Sequence, residues 1–307
     1  MLKNGWYILN YHDISWEENP FLRGIGGSFP PDVFRGHLEV LSQHGKLVSV
    51  QEGFERWQQG SIDEPLISFW FDDGFAGVRR YAMPIMDSFG VKGAISINSR
   101  FTLRKEMFWR AKLSYLSQTD GLRFLRSRLK PFGYTLNRPI KAFTMDHFSP
   151  KIIEAIDTVY EEFAPEHVRD DAFRIFDTME GIGILHQNGW EITNHSSAHY
   201  PLSEAAYIEH FAEEFTECDE ALQTHLGIET RFWVLPFDRK SLPLDDLLKV
   251  FYNADTNERH LVLVGNRVNT TYDPHQKIIY RIDPPYLNGK ELVRYLKFIP
   301  SNVNERY

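Results

Sequence analysis

One rhythm constrains this chain more than any single motif does. Four times, an amphipathic run ends at a glycine and a short β-rich stretch follows at once. Residues 31–45, PDVFRGHLEVLSQHG, set Phe34, Leu38 and Leu41 on one helical face ahead of KLVSV. Pro31 falls in the first turn of that run, and Gly45 reads as the residue just past its end. MPIMDSFG precedes VKGAISI, and IGILHQNG precedes WEITNH. The long run 203–227 spaces Ile208, Phe211, Phe215, Cys218, Leu222 and Leu226 three or four apart and passes through Gly227 into ETRFWVLPF. Strands that alternate with helices in this way are parallel and joined by helical crossovers. The expected fold class is therefore α/β, and a (β/α) barrel and a doubly wound sheet both satisfy the pattern.

Residues 104–180 interrupt the rhythm. KEMFWRAKLSYL, DGLRFLRSRL and PKIIEAIDTVYEEF are charged and helical in period, which predicts a helical insertion above the strand ends, either a lid or a passive subdomain. Residues 261–282 read as two late strands with a polar loop between them.

Composition narrows the function classes. The 307 residues are 42% hydrophobic and 14% aromatic, enough for a sizeable core, and the net charge of -8 lacks the basic footprint of a nucleic-acid binder. The single cysteine, Cys218, excludes an internal disulfide and fits a reducing compartment. The opening MLKNGWYILNYHD has neither the apolar stretch nor the small-residue cleavage site of a signal peptide. No run reaches the roughly 18 apolar residues that span a bilayer. The expected location is the cytoplasm.

In parallel α/β folds, sites form where the strands end and the βα loops begin. Tyr11, His12 and Asp13 follow the strand-like WYILN; Asp72, Asp73 and Gly74 follow LISFWF; NHSSAH follows EIT; Pro236, Phe237 and Asp238 follow RFWVL. Carboxylates and imidazoles thus gather on one rim. Two adjacent carboxylates beside a core raise each other's pKa, so Asp72 and Asp73 open either a solvated turn or a cation site. His195 and His199 are four apart, which on a helical turn sets both imidazoles on one side. With 12 histidines in the chain, a chance pair is the alternative. Two histidines and one aspartate form a set for one divalent cation, leaving positions open for water and substrate. Zinc suits that set, and cobalt, nickel, manganese and iron are accepted by the same donors.

SFWFDDG paired with NHSSAHYPLS resembles the signature of the polysaccharide deacetylases, the NodB-homology or carbohydrate esterase family 4 proteins. LNYHDI, HGKLVSVQEG and LHQNGWEITNHSSAH fall where that family's pattern has them. The resemblance covers roughly residues 6–100, 181–240 and 260–285, leaving 104–180 outside. It implies a deformed (β/α) barrel spanning 1–307 as one catalytic domain, with the helical insertion at about 104–180. It also implies a metal-dependent hydrolase that removes an N-acetyl group from an amino sugar or glycan precursor. Under it, Asp73, His195 and His199 would hold the metal and Asp72 would be the general base.

The family's Arg-x-Pro-Tyr/Phe stretch corresponds to VLPF, 234–237. Pro236 and Phe237 match, Phe237 offering its backbone N–H to the oxyanion, but Val234 stands where the family has the arginine that orients the base. The family's Leu-x-His acid has no match. His12 is the candidate for that proton, with a strand-capping role as the alternative. Trp190, Trp233 and Phe237 are candidates for a sugar-stacking wall, with core packing as the alternative, and Asn194 would either steady a ligand histidine or cap a turn. Arg281 and Asp283 end a late strand and read as a surface ion pair, with steadying of the rim as the alternative. Two other functions stay open: hydrolysis of another non-peptide C–N bond, such as a formamide or cyclic amide, and an inactive glycan-binding relative.

Overall fold

Most strand residues of the main sheet are buried, as those of parallel strands covered on both faces are. In the computed structural model, which describes residues 1–16, 18–136, 140, 143–144, 149–204, 207–237, 243–255 and 258–301, all seven residues of β1 (Gly5–Tyr11) are buried. A two-stranded pair, β2 (Asp13–Ile14) and β3 (Ser28–Phe29), stands apart. The main sheet adds β4 (Lys46–Leu47), β5 (Pro65–Phe71), β6 (Ala94–Ile97), β7 (Glu191–Asn194), β8 (Phe232–Val234), β9 (His260–Val264) and β10 (Ile278–Arg281).

Its order is β1-β5-β6-β7-β8-β9-β10, every pairing parallel, with β4 alongside β5. The ring closes just past β10: Asn10 N–H donates to Ile282 O, and Ile282 N–H donates to Ile8 O, both at 2.8 Å. At its thinnest, between β7 and β8, a single residue pair, Asn194 with Trp233, carries the register. This is a deformed (β/α) barrel.

Alternation along each strand decides what faces inward. Trp6, Ile8, Leu66, Trp70, Ala94, Phe232, Val234, Val262 and Ile279 form one cluster inside the ring. Tyr7, Leu9, Tyr11, Ile67, Phe69 and Phe71 face the helices outside. The helix Val50–Gln58 closes the bottom, where a Cβ on Gly53 would lie 2.3 Å from Nε1 of Trp6; only glycine permits that approach. Continued one step, the inward set reaches Asn10, Asp72, Ser96 and Arg281, a polar layer at the top of the barrel.

Several local expectations are corrected. The first helix is Pro31–Leu41, and Gly45 lies beyond it, where its missing side chain admits Pro65 O 2.7 Å from the would-be Cβ. KLVSV holds only the two-residue β4, because Ser49 caps the next helix by accepting from Glu52 N–H. The run expected at 203–227 becomes regular helix only at Phe211–Leu226 and ends, as expected, at Gly227 with φ +67. Between β6 and β7 the chain is helical, including Trp109–Leu116, Gly121–Leu129 and Pro150–Phe163. Among the described residues no helix is long and apolar enough to cross a membrane.

Candidate metal centre and active site

Asp72 and Asp73 part company at the end of β5. Asp72 N–H still donates to Tyr11 O at 2.9 Å, so the residue keeps the strand's alternation and points into the barrel. Asp73 takes φ +71 and Gly74 φ +70, which turns the chain out of the strand. The two carboxylates therefore serve one site from different directions.

Oδ1 of Asp72 accepts from Nη1 of Arg281 at 2.6 Å and from Oγ of Ser96. The same Nη1 donates to Oδ1 of Asn10 at 2.8 Å. Oδ2 of Asp72 is left facing Nε2 of His195 at 3.9 Å. Burial alone would raise this carboxyl, but the Arg281 guanidinium, with His195 second, holds it well below the ordinary carboxylate range. Asp72 is thus an ionised, fully buried carboxylate with one oxygen tied and one turned toward the site. Arg281 is 0% exposed, which corrects the surface ion pair expected with Asp283; Asp283 itself is exposed.

The histidines arrive on a loop, not on the helical turn that their spacing suggested. Ser196 (φ +65) and His199 (φ +56) both adopt left-handed backbone. Polar groups hold the loop in place. Nδ2 of Asn98 donates to the carbonyls of His195 and Ser196, Oδ1 of Asn194 accepts from Ser196 N–H at 2.8 Å, and Oε2 of Glu214 accepts from Ala198 N–H at 2.8 Å. Nδ2 of Asn194 is anchored on Phe215 O and Oδ1 of Asp219, both at 2.7 Å, so Asn194 steadies the ligand loop. The carbonyl of Val234, 2.9 Å from Nδ1 of His195, can only accept, which leaves Nε2 with its lone pair. Burial lowers the His195 pKa to about 4, with Asp72 opposing.

Oδ1 of Asp73 lies 3.2 Å from Nε2 of His199 and 3.5 Å from Nε2 of His195. It is buried yet makes no hydrogen bond. Burial raises the Asp73 carboxyl, but His199 foremost overrides it and brings it to about 2. A buried carboxylate oxygen without a hydrogen bond is costly unless a cation completes it. Ligand atoms of Asp73, His195 and His199 lie within 4.8 Å of one another, all three residues buried. Two imidazole nitrogens and one carboxylate oxygen fit a divalent cation with positions left open. The donor set expected from the sequence is therefore brought together.

Of the other candidates, Phe237 lies at the centre, with φ +48 and its ring edge-on to His199 at 4.7 Å. Pro236 is buried beside it. His12 stands half-buried at the end of β1, and its charge acts on both Asp72 and Asp73. Trp190 is a correction: it precedes β7, at the end opposite His195, and packs 5.6 Å from Phe71 in the core, 2% exposed, so it forms no sugar-stacking wall. Trp233 also packs in the core, parallel to Phe215 at 4.7 Å. Asp238 lies outside the described residues. Among the described residues, four of the eight non-glycine residues with positive φ, Asp73, Ser196, His199 and Phe237, surround this one site. Strain of this kind is held where surrounding structure over-determines it, and functional sites are where it gathers.

Sequence reasoning missed Ser96 and Asn10, and it placed Arg281 at the rim without its pairing to Asp72. Their signal was parity, since each lies two residues beyond an inward apolar one: Ile279, Ala94 and Ile8.

Fold and geometry together define a deformed (β/α) barrel with a divalent-metal donor set on its C-terminal rim. The polysaccharide deacetylase family profile matches residues 159–249, a stretch that holds His195, His199, Pro236 and Phe237 and begins inside the helical segment. Among curated proteins no sequence matches this chain. Three solved structures share the fold along nearly their whole length. IcaB from Ammonifex degensii has 15% identity and a TM-score of 0.58, with 96% of this chain and 98% of that one covered. The deacetylase PplD from Streptococcus pyogenes, in complex with acetate, has 14% identity and a TM-score of 0.61, with coverage of 95% and 98%. A de-N-acetylase from Aggregatibacter actinomycetemcomitans has 13% identity and a TM-score of 0.57, with coverage of 95% and 99%. The resemblance to the polysaccharide deacetylases drawn from the motifs is borne out.

Proposed function

We propose that the protein is a metal-dependent hydrolase that removes an N-acetyl group from an amino sugar or glycan precursor, giving acetate and a free amine. The observation that carries this reading is the convergence of Asp73, His195 and His199 beside an ionised Asp72 that Arg281 holds in place. A divalent cation held by the three would acidify a water toward neutral pH and polarise the acyl carbonyl. Zinc suits the donors.

Asp72 has a free Oδ2 facing the site and takes the proton of the attacking water as general base. The Phe237 N–H, presented by its left-handed backbone, is the donor for the tetrahedral oxyanion, an interaction worth about 3 kcal/mol where such donors have been removed. His12, on the neighbouring strand end, gives a proton to the departing amine. Val234 in place of the family's arginine argued for an inactive relative; the pairing of Arg281 with Asp72 supports the active reading instead.

Metal analysis of the wild type beside Asp73→Ala and His195→Ala tests this directly. About one divalent ion per chain, lost in both variants, with acetate released from N-acetylated sugars by the wild type alone, is the expected result. A wild type that takes up neither zinc nor cobalt sinks the mechanism.

A further inference from the structure

The charged side chains around the site are paired almost throughout. Arg281 meets Asp72, Arg100 meets Glu217 and Glu106, and Arg79 meets Asp177 through two hydrogen bonds. Arg110 is different. It forms no ion pair or hydrogen bond among the described residues, and its Nε is buried without a partner. Its guanidinium lies 4.9 Å from the ring centre of Phe237 and 6.0 Å from that of Phe108. Both rings stand edge-on to the candidate ligand His199, at 4.7 and 4.9 Å. The cation is therefore held against rings that line the site, and the residue is not fully buried.

Stability does not explain this placement. Arg110 sits in the first turn of the helix Trp109–Leu116, which has no acidic residue in that turn and no side chain capping it. That is the positive end of the helix dipole, where a cation is unfavourable and an anion favoured. Burial lowers the Arg110 pKa to about 10, and the charge of Asp73 opposes that shift from a distance too great for an ion pair. An unneutralised guanidinium and an uncapped helix end thus converge beside the candidate metal ligands.

We infer that Arg110 binds an anionic group carried by the acylated sugar, so that the substrate is an acidic amino sugar bearing a carboxylate or a phosphate ester. This rests on the deacetylase reading above. A guanidinium presents paired N–H donors that match either anion bidentately, and its contact with the Phe237 ring places it beside the site before the ligand arrives. With a net charge of -8 the protein as a whole repels anions, so such a preference has to be made locally.

The test is equilibrium binding to the zinc-loaded protein of three probes: N-acetylglucosamine, its 6-phosphate, and its 6-carboxylate. They are compared on the wild type, Arg110→Met and Arg110→Lys, with acetate release followed in parallel. At least one anionic probe is expected to bind the wild type about tenfold or more tighter than the neutral sugar, the range of a charge-assisted hydrogen bond. That preference should collapse in Arg110→Met and survive in part in Arg110→Lys. Which anion wins separates carboxylate from phosphate. Equal binding of charged and neutral probes, no binding at all, or a preference unchanged in a folded Arg110→Met each overturns the assignment. Because binding is read without turnover, an intact preference with no acetate released sinks only the deacetylase reading. Acetate released without any preference sinks only the role of Arg110.

Discussion

Nη1 of Arg281 lies 2.6 Å from Oδ1 of Asp72 although the two residues are 209 apart in the chain. Closure of the barrel makes the contact, because it sets the top of β10 beside β1, one strand away from the end of β5. The pairing keeps a fully buried carboxylate ionised.

Arg281→Met should expose that dependence. Burial then acts on Asp72 without its main opposing charge, so the carboxyl pKa rises and the acid limb of the pH–rate profile moves to higher pH. Stability should fall by about 3–5 kcal/mol, as when one partner of a buried pair is removed. Arg281→Lys should recover part of both. An acid limb that stays in place in Arg281→Met would mean that Arg281 only packs.

Asp72→Asn separates metal binding from turnover. The carboxamide keeps the size of the group and leaves Asp73, His195 and His199 untouched, so about one metal ion per chain should remain. Turnover should fall by about 10²–10⁴-fold, the range for loss of a general base. Metal lost together with activity would make Asp72 a ligand and not a base.

Trp190→Ala should act on the fold and not on the sugar. Its ring fills space between Phe71 and Gly93, where a Cβ on Gly93 would come within 2.8 Å of it. A loss of about 3–5 kcal/mol in denaturant unfolding is expected, with KM of the folded fraction unchanged. A raised KM at unaltered stability would return Trp190 to the substrate wall.

Asp13 supplies a pH dependence of stability. Burial raises its carboxyl to about 6, against the hydrogen bond from Oγ of Ser28 and the charge of Arg80. Because the folded pKa lies above the unfolded one of about 3.9, folding takes up a proton. The favourable contribution is complete below about pH 4 and is lost as pH rises through about 6, a difference of up to ~3 kcal/mol. Asp13→Asn should therefore match the wild type in urea midpoint near pH 4 and exceed it near pH 8. A difference that stays constant across that range would rule Asp13 out as the titrating group.

Much of this was legible in the chain because it rests on local pattern. Apolar runs closed by glycines gave parallel strands and crossover helices, and the residues just past those strands include the three candidate donors that the fold brings together. Gly45 misled because a glycine required for close approach to Pro65 looks the same in sequence as one that ends a helix. Trp190 misled because nearness to His195 along the chain says nothing about which end of β7 it occupies. Arg281 and Arg110 were hidden for a different reason. Their roles come from ring closure and from a helix laid across the rim, both long-range, and no spacing along the chain encodes a meeting with residue 72 or 237.

The closure at Ile282 also gives the site an order of birth. A chain made from its N-terminus holds Asp72, Asp73, His195, His199 and Phe237 well before β10 exists. Such a nascent chain has a donor set for a cation but lacks the guanidinium that keeps Asp72 charged. Completion of the last strand is thus the event that fixes the charge of Asp72, and a half-made barrel lacks that charge by construction.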